Sequence, residues 1–418
     1  MKKLTLLACF GMLSQMFFAQ EFEIDLELKP RFEYRHGYKT LIPDDVDAAA
    51  FVSQRSRLNF KYGSKTLMAY LSLQNVRVWG DVATLSASDE NGTAIHEAWA
   101  SVLLDSKFSL KMGRQEIVYD DSRMFGNVDW AQTGRSHDAF IATFKPNGKN
   151  RLDVGFALNE EDETLFQVDY HVANYKNFQY VWYHTDFENF SLSLMALNAG
   201  FTFENDNGEQ DVNYNQTFGT HIMYAKNKLK ADASAYVQTG KVAKTDLSAL
   251  NLSGNVHYNM TPNFNAGIGA EYLSGTDMNN MDSKINSFNP LFGTNHKFNG
   301  WMDYFYVGNH INSVGLLDLN LPLKYQKKKL SVQMMPHVFS SAATVVSATG
   351  TEMGNYLGTE VDFSLGYNIA DNIGLQVGYS HMFASHTMEV LKAGNKDNTN
   401  NWAWAMFVFK PKLFTYTK

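Results

Sequence analysis

From Glu21 to Arg35 the chain alternates without a slip. Glu21, Glu23, Asp25, Glu27, Lys29, Arg31, Glu33 and Arg35 take the odd positions; Phe22, Ile24, Leu26, Leu28, Phe32 and Tyr34 take the even ones, with Pro30 the exception. A period of two defines a β-strand, because successive side chains point to opposite faces. Strands of soluble sheets usually end after about five or six residues. This one runs more than twice as far, one face wholly charged and the other apolar, and the pattern returns at 55–62, 228–237 and 357–369.

The connections between such stretches alternate in length. Long ones fall near 37–50, 80–94, 117–135, 159–176, 202–213, 239–246, 275–312, 341–355 and 385–399, with short ones such as 63–65, 146–150, 226–228 and 370–372 between them. Short turns on one side and long loops on the other imply an all-β fold: a transmembrane antiparallel up-and-down β-barrel of about eighteen strands. Lipid offers no hydrogen bonds to an open sheet edge, so the sheet must close. The apolar faces then meet outer-membrane lipid and the charged faces line the interior. A solenoid would need a fixed repeat period, and none is present.

The first residues read differently. Lys2 and Lys3 precede an apolar run from Leu4 to Phe18 and a small residue, Ala19. That is the layout of a secretory signal peptide over residues 1–19, leaving 20–418 as one outer-membrane domain. Cys9 is the only cysteine, so neither a disulfide nor a cysteine-ligated metal is expected in residues 20–418. No later apolar run reaches the roughly 20 residues that a membrane helix needs.

All nine arginines lie within the first 151 residues; the remainder relies on lysine for positive charge. Arginine supplies a planar, permanently charged fork that pairs with carboxylates at two points. Parity puts Arg31, Arg35, Arg55, Arg57 and Lys61 on the lumenal face, opposite Glu27 and Glu33, and Arg114 is counted with them as pore-lining and anion-contacting. Two readings stay open: a salt-bridge network that neutralises lumenal carboxylates, or a basic strip that admits anions. The arginine-bearing third should form one basic wall facing a remainder that carries Glu271, Asp318, Glu360 and Asp362.

The stretch 113–138 is the densest polar text in the chain. Asp120, Asp121, Arg123, Asp129 and Arg135 read as an inward-folded constriction loop, tied by Arg123 or Arg135 to one of its own aspartates. The carboxylates Glu116, Asp120, Asp121, Asp129 and Asp138, with His137, match neither EF-hand nor zinc spacing, so no metal and no cofactor is assigned. Ser136, His137 and Asp138 are adjacent on a strand and cannot converge as a triad, which argues against an enzyme. The aromatic run Trp301, Tyr304, Phe305, Tyr306 near the end of the longest loop reads first as a headgroup-level girdle and second as a sugar-stacking platform.

Several motifs carry a resemblance: Gly113-Arg114-Gln115, Asp121-Ser122-Arg123-Met124-Phe125-Gly126, Trp130 to Arg135, Asn289-Pro290-Leu291-Phe292-Gly293-Thr294, His296-Lys297-Phe298 and Met302-Asp303-Tyr304-Phe305. Together they resemble the alginate-export family of Gram-negative, porin-like outer-membrane barrels, over most of the chain. The resemblance implies a passive channel in the cell outer membrane that exports an anionic polysaccharide or oligosaccharide through an arginine-lined pore, with periplasmic export partners. The rival within transport is a general or oligosaccharide-uptake porin that also takes neutral saccharides; rivals from other classes are a barrel enzyme and an adhesin. No nucleic-acid partner is expected.

Overall fold

The alternation at 21–35 becomes the first strand, β1 (Glu21–His36), paired antiparallel with β2 (Ala49–Gly63) in the register Glu27↔Arg57, Lys29↔Arg55 and Arg31↔Ser53. On its other side β1 meets the last strand, Arg31 opposite Met406 and Glu33 opposite Trp404, so the sheet closes on itself. The computed structural model describes residues 20–172, 174–279 and 284–418; the expected signal peptide, 1–19, lies outside the described residues. Eighteen antiparallel strands make the barrel. Two of them are interrupted by prolines, one between Leu316–Asn320 and Leu323–Lys327, the last between Asn400–Phe409 and Lys412–Thr417. Proline cannot donate to the ladder. The ladder resumes through the carbonyls of Pro322 and Pro411, which accept from the amides of Gly267 at 2.8 Å and Leu26 at 3.1 Å.

Parity decides the faces as expected. Arg31, Glu33, Arg55 and Arg57 are buried in the interior, while Phe32 and Tyr34 are exposed on the outer surface with Phe156, Phe218, Ile268 and Phe363. Short turns such as 64–66, 227–228 and 371–372 share one end with the chain termini, and most long connections share the other. In bacterial barrels the short-turn end is periplasmic.

Two expected loops are turns instead. The strands Phe190–Glu204, Gln210–Lys226, Leu229–Val242 and Thr245–Asn259 run on past the membrane band, keeping pairs such as Gln210↔Glu204 and Val242↔Thr245, so only 205–209 and 243–244 remain as connections. The polar residues there read as loop because a strand standing in water needs no apolar face.

The apolar core sits inside the barrel, supplied mainly by two connections. One, 116–136, joins β5 (Phe108–Gln115) to β6 (His137–Phe144); the other is 274–315. Phe125 of the first is fully buried, its ring 5.3 Å from Phe292 of the second and 4.9 Å from wall residue Tyr180. The amide of Gly126 donates to the Phe292 carbonyl and that of Thr294 to the Ser122 carbonyl, both at 2.9 Å. Tyr304, Phe305 and Tyr306 are buried in this plug. The girdle reading of these aromatics is therefore wrong: their segment turns inward, away from the lipid interface.

Candidate functional site: a plugged lumen between two charged walls

The lumenal row of β1 and β2 is a ladder of opposite charges over which residues 129–133 lie. The Asp129 carboxylate accepts from Lys29 Nζ at 2.9 Å and from Arg55 Nη2 at 2.5 Å, and Arg55 Nη2 also stands 2.5 Å from Glu27. Burial alone would raise the Asp129 carboxyl; Lys29 and Arg55 outweigh it and hold the group well below the usual carboxylate range. Arg57 donates to Gln74 at 2.6 Å and to the Thr133 carbonyl at 3.4 Å. Gln132 reaches Ser53 Oγ at 3.0 Å. Arg31 lies 4.0 Å over the ring of Trp130, which stacks on His296 at 4.4 Å and meets Trp404 edge-on at 4.9 Å.

The far wall is acidic, and it is covered. Arg123 is buried and donates to Glu271 Oε1 at 2.7 Å and to Asn299 at 2.8 Å, while Asn299 donates to Glu271 Oε2 at 2.9 Å. The backbone amide of Met302 donates to Glu360 at 2.8 Å and that of Trp301 to Asp362 at 3.3 Å; His337 lies 2.8 Å from Asp318. The 116–136 loop thus crosses the lumen as a strap with opposite ends, its carboxylate on the basic wall and its guanidinium on the acidic one.

The expected ties within the loop are not those formed. Among the described residues, Arg123 and Arg135 grip no aspartate side chain with their guanidinium groups: Arg123 takes Glu271, and Arg135 donates to the Gly293 carbonyl at 2.9 Å. For Arg123 a barrel-wall carboxylate outcompetes the loop's own aspartates, and for Arg135 a backbone carbonyl of the second plug segment does. Asp120 accepts from Trp182 at 3.0 Å, and burial raises its carboxyl. Asp121 accepts from the amide of Arg123 at 2.9 Å and borders a cavity on the short-turn side.

Of the residues read as pore-lining, Arg31 and Arg35 border the open lumen, and Lys61 is exposed near the short-turn end, opposite Glu23. Arg55 is fully buried under Asp129, so direct solute contact is blocked in this state. Arg114 is a correction. It shares the outward face of β5 with Phe108 and Met112 and pairs with Asp138 at 2.7 Å on the outer surface, not in the pore. The signal was in the sequence, since Phe108, Leu110, Met112 and Arg114 have one parity. Gly113 beside it has φ +120°, and an added Cβ would fall 2.3 Å from the Ala98 carbonyl oxygen, so β4 (Ala94–Leu103) and β5 meet there only through glycine. Lys29, Gln132 and Arg77 went unselected. Lys29 was legible by parity; Arg77 was not.

The triad residues part ways: Ser136 lies 3.4 Å from His96, His137 3.0 Å from Tyr175, and Asp138 joins Arg114. Among the described residues, His96, Glu97 and Glu116 bring ligand atoms within 4.8 Å of one another. Arg57, 3.9 Å from Glu116, already supplies positive charge there, and His96 holds the same carboxylate at 2.9 Å.

Two cavities flank the plug. The one on the long-loop side, about 580 Å³, is bordered by Arg31, Arg35, Arg77, Trp130, Arg135 and Tyr38; the one on the short-turn side, about 370 Å³, by Lys297, Trp301, Glu271 and Lys324. A closed barrel with an apolar belt, a charged lumen and inward loops is an outer-membrane channel.

The comparisons agree. Residues 22–403 match the family model described as alginate export, and the chain belongs to that family. No curated protein matches its sequence significantly. Its fold is similar to that of OccK3 (OpdO) of Pseudomonas aeruginosa, at TM-score 0.63 and 12% identity over 94% of this chain and 96% of that one. It is similar too to OccK9 (OpdG) of the same organism, at TM-score 0.60 and 14% identity over 94% and 98%. OccAB4 of Acinetobacter baumannii stands at TM-score 0.61 and 14% identity over 94% and 98%. The protein resides in the outer membrane, and its family and fold are those of transport channels.

Proposed function

We propose that the channel passes anionic saccharides carrying carboxylates, which enter or leave through the cavity on the long-loop side. The observation that carries this reading is the cavity's unequal charge: Arg31, Arg35, Lys39, Arg77 and Arg135 against Glu33, Asp81 and Asp303. Arg35 and Arg77 keep about a third of their side chains exposed, at 33% and 31%. Glu33 is held by Arg31 and Arg35 at 2.9 Å each and Arg77 pairs with Asp89, and with Asp89 counted the five cations still outnumber the carboxylates around the cavity. Trp130, Tyr38 and Phe51 add flat apolar faces of the kind on which a sugar ring stacks. The acidic wall does not offset this, because Arg123, Asn299 and the amides of Trp301 and Met302 cover it. The structural neighbour OpdK has been solved with vanillate, itself a carboxylate.

A general porin would need an open lumen, whereas here two loops interlock across it. The test is the reversal potential of single channels in a salt gradient. Anion preference in the unaltered protein, and a severalfold loss of it when Arg35→Gln and Arg77→Gln are combined, is the expected result. Cation preference, or a double variant with unchanged selectivity, would show that these arginines only neutralise neighbouring carboxylates.

A further inference from the structure

Asp129 occupies an unusual place. Its carboxylate sits on Lys29 and Arg55 through one oxygen each, at 2.9 and 2.5 Å; those cations are 5% and 0% exposed in their side chains, while Asp129 is 51% exposed. The loop carboxylate is therefore the lid over two otherwise sealed cations. Among the described residues, the buried Nε and Nη1 of Arg55 meet no hydrogen-bond acceptor. A guanidinium held for structure alone would be expected to have its donors met, because an unmet buried donor is destabilising. The backbone beside the lid is strained: Val128 has φ +53°, a conformation that a β-branched residue rarely adopts, and Asp120 and Ser122 earlier in the loop have φ +51° and +71°. Strain of this kind gathers at segments that switch.

We propose that Lys29 and Arg55 form a carboxylate-binding site, that Asp129 is its resident ligand standing in the solute's place, and that an incoming solute carboxylate exchanges with it and so releases the 116–136 loop. The inference rests on the anionic-solute reading above and gives it a mechanism of opening. Departure of Asp129 without replacement would strip buried Lys29 of its carboxylate and leave buried Arg55 with Glu27 alone, which is unfavourable. Exchange for a group of the same charge and geometry keeps them paired, relieves Val128 and presents Arg55 Nε and Nη1 to a second oxygen. Trp130 follows Asp129 in sequence, so its stack on His296 and its contact with Arg31 loosen in the same movement. A neutral sugar or a cation cannot make the exchange.

The test uses the full-length protein in planar bilayers, with sodium galacturonate as probe and glucose as control. Asp129→Asn removes the resident charge, so galacturonate should bind roughly tenfold or more tightly, because the competent state is no longer a minor one. Equal galacturonate affinity in the two proteins would overturn the proposal. If Asp129→Asn fails to assemble, Gln132→Cys gives an independent reading, since residues 20–418 contain no other cysteine. Galacturonate, but not glucose, should speed maleimide labelling of that buried position, and a rate indifferent to galacturonate would sink the exchange. An anion-selective channel that shows no exchange refutes this proposal alone. A channel that is neither anion-selective nor responsive to galacturonate refutes the anionic-solute reading with it.

Discussion

At the scale of single residues the lumen is organised by competition between charges. Arg123 could have paired with Asp120 or Asp121 nearby in sequence; instead it crosses to Glu271, 148 residues away. Glu271 is buried and fixed on a rigid strand, where an unpaired charge would be very unfavourable, whereas Asp121 on the loop can turn toward solvent. Val128 shows the opposite bias, a side chain held against its own preference. Its left-handed backbone is unfavourable by about 1–3 kcal/mol, retained because its amide donates to Thr294 at 3.0 Å and Asp129 follows it. Asparagine tolerates that conformation. Val128→Asn should therefore stabilise the docked loop by roughly 1 kcal/mol, seen as fewer spontaneous current steps; more frequent steps would show that the valine side chain, not its backbone, anchors the loop.

At the scale of elements, what was legible in the sequence depended on periodicity. Strands facing lipid on one side and charge on the other announce their register, which is why Arg31 and Phe32 were assigned to their faces correctly. Loops carry no such period. That residues 116–136 fold inward could be read from their Asp and Arg density, but their partners could not, since Glu271, Asn299 and Lys29 are distant in sequence. The second plug segment was misread for the same reason: an aromatic run looks alike at a lipid interface and in a lumen. His310 in that segment gives a pH test. It lies edge-on to Phe305 at 5.0 Å and beside the Gly315 carbonyl at 3.0 Å; burial, and then the charge of Lys392, push it down to about 3. A released loop would protonate this histidine near its ordinary value of about 6.5. Below that pH the released state binds a proton that the docked state refuses. Docking therefore weakens as pH falls from about 6.5 towards 3, by at most about 1.4 kcal/mol per unit. Loop openings should rise between pH 7 and 5 in the unaltered protein, and His310→Gln should flatten that slope. An equal slope in the variant would assign it to another group.

At the scale of the whole molecule, barrel and plug are separable layers of construction. The barrel closes through pairings between neighbouring strands, and none of those between β5 and β6, from Phe108↔Phe144 to Gln115↔His137, needs the loop that joins them. The plug, by contrast, is defined by what the two walls offer: a basic side that holds Asp129, an acidic side that holds Arg123, and a cluster of rings around Phe125 between them. Gln115 and His137 are directly opposed, so residues 116–136 can be replaced by a two-residue Asn-Gly turn, the connection that such a hairpin favours. The shortened protein should insert as a folded barrel, because its outward apolar belt and its closure are untouched. Its lumen would lose the Phe125 cluster and the strap together, and the far plug segment would lose the amide bond from Gly126 and the ring contact at Phe292. Single-channel conductance should then rise severalfold. Anion preference should increase as well, since Lys29 and Arg55 would face the pore without Asp129, while Asn299 and the amides of Trp301 and Met302 still cover the acidic wall. A barrel of unchanged conductance would place the constriction in the 274–315 segment. A wide channel that had turned cation-selective would mean that Arg123 alone had been masking the acidic wall.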